Sequence, residues 1–221
     1  MKKKIILQIA LDFVDEKRAL QLAEESVEGG ADWLEAGTPL IKSCGMEIVR
    51  KLRKKFPRHT IVADMKTMDT GRLEVEMAAK SGAGIVSVLG VAPSSTLRET
   101  VAAAHNYGTR LMVDLLGVKE YGDKALELEK MGADYIVVHT SVDEQMEGKI
   151  SFRKIEEIRK TVSVPLVCAG GINSENAYLA VRAGAEVIVV GGAVTKADDA
   201  VKAVREIKKA IQKNISVKTA Y

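Results

Sequence analysis

Two patterns alternate along this chain. Short runs of consecutive apolar, mostly β-branched residues, such as IILQIAL (5–11), TIVADM (60–65) and VPLVCAG (164–170), predict buried strands. Between such runs, apolar residues recur at helical spacing, as in DEKRALQLAEESVE, TGRLEVEMAAKS, SSTLRETVAAAHNY, DKALELEKM and DDAVKAVREIKKAI. One phrase repeats five times: a charged helical stretch, a glycine, then a β-branched run. It reads EGGADWLEAG (28–37), KSGAGIVSVLG (80–90), NYGTRLMVDLLG (106–117), KMGADYIVVHT (130–140) and RAGAEVIVVGG (182–192). A glycine closing a helix before a buried strand is the expected C-cap chemistry.

Five repeats and three further apolar runs give eight strands, each followed by a helical segment. Such alternation implies parallel pairing through right-handed crossovers. An open doubly wound sheet usually has fewer strands and often a glycine-rich first turn, whereas the first turn here, ALDFVDEKRA, has no glycine. The pattern therefore predicts an α/β fold, a (β/α)₈ TIM barrel forming a single domain over residues 1–221. The tail KNISVKTAY lacks periodicity and is expected to fray or to pack against a partner.

In a barrel, chemistry sits at the C-terminal ends of the strands. Asp12 ends the first predicted strand, Glu35 the second, Asp64 and Lys66 the third, Asp114 the fifth and His139 the sixth, while the fourth ends in LG with nothing ionisable. Strand alternation puts Asp64 and Lys66 on the same side. Any one of these could be a salt bridge capping a strand; together they outline a mouth. Glu35 and Asp64, hard oxygen ligands on adjacent strands, suit Mg²⁺ completed by water and substrate. Lys66 beside them could neutralise a developing enolate, and His139 brings an imidazole, the kind of side chain that suits proton transfer near neutrality. AGGI (169–172) and VGGA (190–193) follow the last two strands, where barrels commonly bind phosphate through backbone N–H groups; a plain tight turn is the simpler reading of each. His59 and His105 read as structural or solvated, Trp33 as core, and Cys44 and Cys168 as small apolar packers.

Composition narrows the function classes. The chain is 47% hydrophobic and 29% charged, with 33 basic residues against 30 acidic spread throughout, and only 4% aromatic. That argues against a nucleic-acid groove. Two cysteines make no disulfide framework, no apolar run is long enough to span a membrane, and the apolar start carries no small-residue cleavage site, so a cytoplasmic protein is expected.

Asp-x-Lys-x-x-Asp at residues 64–69 resembles the orotidine 5′-monophosphate decarboxylase superfamily of phosphate-binding barrels. The wider wording, LDF, LEAGTPLIKSCG, ADMKTMDTG, VLGVAP, VHTSVDEQ and AGGIN, is similar to its 3-hexulose-6-phosphate synthase branch from about Ile5 to Ile211. The resemblance implies a Mg²⁺-dependent aldol addition of formaldehyde to ribulose 5-phosphate through an enediolate, and the reverse cleavage. It implies that Glu35 and Asp64 hold the metal, that Lys66 stabilises the enediolate, that His139 moves the proton, and that Asp12, with Asp114, contacts substrate. Gly170, Gly171, Gly191 and Gly192 then form the phosphate turns. Asp69 is implied to reach into the neighbouring subunit's site, making a homodimer. The chain departs from many members in the final turn, where VGGAVT has no arginine. The 3-keto-L-gulonate-6-phosphate decarboxylase branch shares the Asp-Lys-Asp pattern. That branch typically carries Arg three positions after the histidine, where this chain has Val142, and tends to Glu and Thr in place of Asp114 and Ala169. A non-catalytic sugar-phosphate binding module would tolerate loss of Lys66.

Overall fold

The computed structural model describes residues 4–141 and 152–217. In chain order the elements are β1 (Ile6–Leu11), α1 (Glu16–Gly29), β2 (Trp33–Ala36), α2 (Thr38–Cys44), α3 (Glu47–Lys55), β3 (Thr60–Thr67), α4 (Gly71–Lys80), β4 (Ile85–Leu89) and α5 (Ser94–Tyr107). They continue with β5 (Arg110–Asp114), α6 (Tyr121–Met131), β6 (Tyr135–His139), α7 (Arg153–Arg159), β7 (Leu166–Ala169), α8 (Ala177–Ala183), β8 (Val187–Val190), α9 (Gly192–Thr195) and α10 (Ala200–Val217). The eight strands pair in parallel and in sequence order, and β8 closes on β1 through Ile6↔Val187 to Ile9↔Val190. The (β/α)₈ barrel predicted from the alternation is the one observed.

Both faces of the strands are buried, which is why their sequences read as continuous apolar runs. Inward residues such as Ala10, Trp33, Val62, Ile85, Met112, Tyr135 and Val187 fill the barrel. Outward residues such as Leu7, Ile9, Leu34, Ile61, Val86 and Ile188 pack beneath the helices. The recurring glycines close helices as expected: Gly30, Gly108, Gly132 and Gly184 adopt φ of 101, 67, 103 and 112°, a region that L side chains avoid. Asp15 caps α1, accepting the Arg18 N–H at 2.7 Å.

Two expectations change. The C-terminal tail continues α10 as far as Val217, so helical hydrogen bonding outlasts the apolar periodicity that ends near Ile211. The third strand runs past Met65 to Thr67 and is irregular: its register against β4 shifts between Ala63↔Val86 and Thr67↔Val88. Four positions on β3 thus match two on β4, a bulge that lifts Lys66 out of the pleat into the left-handed region (φ 46°). Among the described residues, no helix is long and apolar enough to cross a membrane.

Candidate active site

The polar residues at the mouth are delivered by several strands and by the start of α2. β2 turns Glu35 inward, where Gln8 of β1 donates from Nε2 to Glu35 Oε2 at 2.5 Å. The bulged end of β3 supplies Asp64 and Lys66, whose ammonium lies 2.6 Å from Asp64 Oδ2. The predicted same-side placement of the pair is therefore met through a bulge and a left-handed residue, where simple alternation was expected. Thr38, at the start of α2, donates to the same oxygen at 2.7 Å, and Ser87 of β4 donates to Asp64 Oδ1 at 2.6 Å. Asp114 of β5 accepts the Leu116 N–H at Oδ1 (2.9 Å) and contacts His139 Nδ1 through Oδ2 at 2.8 Å. Lys66 Nζ lies 3.7 Å from that same Oδ2, so Asp114 joins the ammonium to the imidazole.

The electrostatics follow from crowding. Burial pushes the Glu35 carboxyl well above the usual range, and the charges of Asp64 and Asp12 push it further. Asp12 is open to solvent at the rim but walled in on its sides, and this burial, with the charge of Asp64, raises its carboxyl too. Burial would also raise Asp64, but the Lys66 ammonium and the Ser87 and Thr38 hydroxyls outweigh it and hold Asp64 below the ordinary value. Burial would lower Lys66; Asp64, then Asp114 and Glu35, raise it instead and keep the ammonium charged.

Asp12 follows β1 and is packed against the turn that opens α2. A Cβ at Gly37 would lie 2.1 Å from Asp12 Oδ1, so glycine is what admits the carboxylate. After β7, Gly170 and Gly171 both take positive φ (98 and 69°), and Asn176 Nδ2 donates to Gly171 O at 2.9 Å. After β8, Gly191 caps and Gly192 begins the short helix α9, whose first N–H groups have no partner within the helix.

Asp69 is not gathered with the others. It is exposed beyond the bulge, and its Oδ1 accepts the Thr70 N–H at 2.7 Å. The helix cap position belongs to Thr70 (φ 50°), so a capping role for Asp69 on α4 is not what the geometry offers. Around Asp69 and the first turns of α4 and α5 lies an open groove of about 480 Å³ lined by Leu73, Glu76, Thr96 and Glu99. Met68, Leu73 and Met77 are exposed beside it. Val142 lies outside the described residues.

Three polar residues escaped the strand-end reading. Ser87 stands on β4, the strand with nothing ionisable at its end, yet it is inward-facing and 3% exposed. Thr38 and Gln8 are likewise neutral. The available signal was a single polar residue in the inward phase of an apolar run, which IVSVL and ILQIAL both show. Trp33 is core as expected, and Cys44 and Cys168 are both free, with burial pushing the Cys168 thiol up to about 12.

A closed parallel barrel whose mouth joins an ammonium, a carboxylate and an imidazole in one chain of contacts is the working end of a (β/α)₈-barrel enzyme. The chain belongs to the Orotidine 5'-phosphate decarboxylase / HUMPS family, which it matches over residues 6–207. A 3-hexulose-6-phosphate synthase from Staphylococcus epidermidis is 37% identical over 209 residues, 93% of this chain and 98% of that protein. The crystal structure of a 3-hexulose-6-phosphate synthase matches with a TM-score of 0.89 at 37% identity, covering 94% of this chain and 100% of that one. The crystal structure of a ligand complex of KGPDC from Streptococcus mutans also matches with a TM-score of 0.89, at 25% identity over 96% of this chain and 99% of that one.

Proposed function

We propose that this chain is a 3-hexulose-6-phosphate synthase, joining formaldehyde to D-ribulose 5-phosphate and catalysing the reverse cleavage. The observation that carries the reading is Asp114 Oδ2, which lies between His139 Nδ1 (2.8 Å) and Lys66 Nζ (3.7 Å). A carboxylate on Nδ1 assigns the proton to that nitrogen and leaves Nε2 with the lone pair. Nε2 takes the proton from the substrate carbon beside the ketone, and the electron pair moves onto the carbonyl oxygen to give an enediolate. The Lys66 ammonium, kept charged by Asp64, neutralises that oxygen. The carbon then attacks formaldehyde, forming the new C–C bond, and the imidazolium returns its proton to the resulting alkoxide.

The same reading takes Mg²⁺ as cofactor. Glu35 and Asp64 stand on neighbouring strands, close enough that the Asp64 charge raises Glu35, and such a pair of carboxyls suits a divalent cation. Gln8 engages Glu35 through Oε2, leaving Oε1 for a ligand, and Mg²⁺ is commonly held by one or two carboxylates with water. When bound it supplies positive charge over the substrate oxygens. Asp12 then serves as a contact for a substrate hydroxyl, and Gly170, Gly171, Gly191 and Gly192 offer backbone donors to the phosphate.

Asp69 enters through a second copy. Its exposed carboxylate and the uncovered Met68, Leu73 and Met77 favour a homodimer in which each chain lends Asp69 to its partner's mouth. The two free cysteines and the absence of a membrane-spanning helix among the described residues are compatible with a cytoplasmic setting. The test is consumption of formaldehyde with ribulose 5-phosphate, run beside release of CO₂ from 3-keto-L-gulonate 6-phosphate. Faster turnover of the keto-gulonate would overturn the assignment in favour of the decarboxylase.

A further inference from the structure

We infer that Ser87 is a positioning residue for this reaction: one buried hydroxyl fixes both the Asp64 carboxylate and the left-handed backbone that carries Lys66. The inference rests on the synthase reading for the roles of Asp64 and Lys66. It rests on geometry for the rest.

Ser87 lies in the middle of β4 and is 3% exposed. Its Oγ donates to Asp64 Oδ1 at 2.6 Å and accepts the Lys66 N–H at 3.0 Å. A hydroxyl can do both at once because it carries one proton and two lone pairs. Both bonds fall within the β3 bulge, between Ala63 and Thr67, where the register against β4 breaks and Lys66 turns to φ 46°. A non-glycine residue persists there only when its surroundings over-determine it. The donor side of the bridge holds Asp64 in a fixed rotation, so that Oδ2 meets Lys66 Nζ at 2.6 Å and Thr38 at 2.7 Å. The acceptor side takes the Lys66 N–H where the bulge interrupts β-pairing. Ser87 thereby sets the ammonium and its counter-charge relative to one another without reaching the mouth itself.

The consequence is a division of labour that substitutions can separate. Ser87→Ala removes both bonds, Ser87→Cys keeps the size but offers only a weak donor and acceptor, and Ser87→Thr retains the hydroxyl. For Ser87→Ala we expect kcat to fall about 10–100-fold, the range for groups that support a first layer of ligands, with KM for ribulose 5-phosphate changed less than about threefold. Mn²⁺ binding to the substrate-free protein, read by electron paramagnetic resonance, should weaken about 10-fold. Ser87→Thr should recover most of both losses. If Ser87→Ala does not fold, Ser87→Cys carries the same comparison. Wild-type kcat and Mn²⁺ affinity in Ser87→Ala or Ser87→Cys would overturn the inference, as would a threonine variant as impaired as the alanine one. Failure of the synthase reading is distinguishable. A wild-type protein that consumes no formaldehyde, yet loses Mn²⁺ affinity on Ser87→Ala and regains it on Ser87→Thr, refutes the reaction and retains the positioning role.

Discussion

Gly37→Ala tests whether the Asp12 carboxylate must stand where the structure puts it. Gly37 has φ −67° and ψ 157°, a region open to alanine, so the backbone itself resists nothing. The added Cβ, however, would lie 2.1 Å from Asp12 Oδ1, 3.0 Å from its Cγ and 3.0 Å from Leu11 O. Carbon and oxygen rest at roughly 3.3 Å or more, so the carboxylate must swing by about 1 Å, while the backbone contact needs only a few tenths. Overpacking costs about 1–3 kcal/mol, but Asp12 opens to solvent on one side, and alanine recovers about 0.4–1 kcal/mol through the unfolded chain. The net stability loss should therefore be about 1 kcal/mol, a fall in Tm of roughly 2–4 °C for a domain of this size. A 1 Å displacement of a substrate contact, by contrast, can cost about 10²-fold in rate. The assay pairs thermal melting with kcat/KM for formaldehyde addition. Gly122→Ala serves as the control, since nothing lies within 4 Å of its Cβ and it sits in the first turn of α6. A Gly37→Ala enzyme with wild-type kcat/KM would refute the reasoning, as would a loss of activity matched by an equally large loss of fold.

The other predictions are more direct. EDTA should abolish turnover and Mg²⁺ restore it, and Glu35→Gln should be inactive with Tm little changed; full activity in chelator would remove the metal from the reading. Lys66→Ala and Asp69→Ala chains should each be nearly inactive alone but regain activity when mixed under subunit exchange; confirmed exchange without recovery would exclude a shared site. Far from the mouth, Asp32 accepts the Leu7 N–H at 2.9 Å, Lys4 at 2.9 Å and Lys208; although burial would raise it, these partners hold its carboxyl below the usual value. Its folded pKa is thus depressed, so its contribution is complete above the unfolded value near about 4 and is lost as pH falls through the folded one. Asp32→Asn should cost about 1–2 kcal/mol at pH 7, and the gap in denaturant stability should close toward pH 3; a gap independent of pH would refute the assignment.

Much of this site could be read from sequence because charge inside an apolar run has few explanations. Asp12, Glu35, Asp64, Lys66, Asp114 and His139 each interrupt or end such a run, and each lies at the barrel mouth. Ser87, Thr38 and Gln8 were not legible for a matching reason. A neutral polar residue costs little wherever it falls on a strand or turn, so its presence marks no site until its partners are known. The bulge in β3 was hidden because it changes no residue type: VADMKT reads as regular alternation, and only the pairing with β4 reveals the two extra positions. Asp69 illustrates another limit. Its distance from Lys66 in sequence fixes it beyond the strand end, where its carboxylate accepts the neighbouring Thr70 N–H, and spacing alone assigns it no further partner.

The end of the barrel opposite the mouth is held by aromatic and apolar contacts. At the N-terminal end of the strands Trp33 meets Tyr135 edge-on at 5.5 Å, and Arg110 donates to the Tyr135 hydroxyl at 2.6 Å while lying over the ring. Such contacts combine apolar burial with a satisfied polar tip. Gln8 separates the two regimes. It is 1% exposed, its Nε2 faces Glu35, and its Oε1 has no hydrogen-bond partner among the described residues. The amide stands with its donor toward Glu35 and the mouth. The unmatched acceptor is left facing away from Glu35, buried at a cost of about 1–3 kcal/mol. Gln8 thereby ties down one oxygen of the buried Glu35 carboxyl, Oε2, and leaves Oε1 outside that bond.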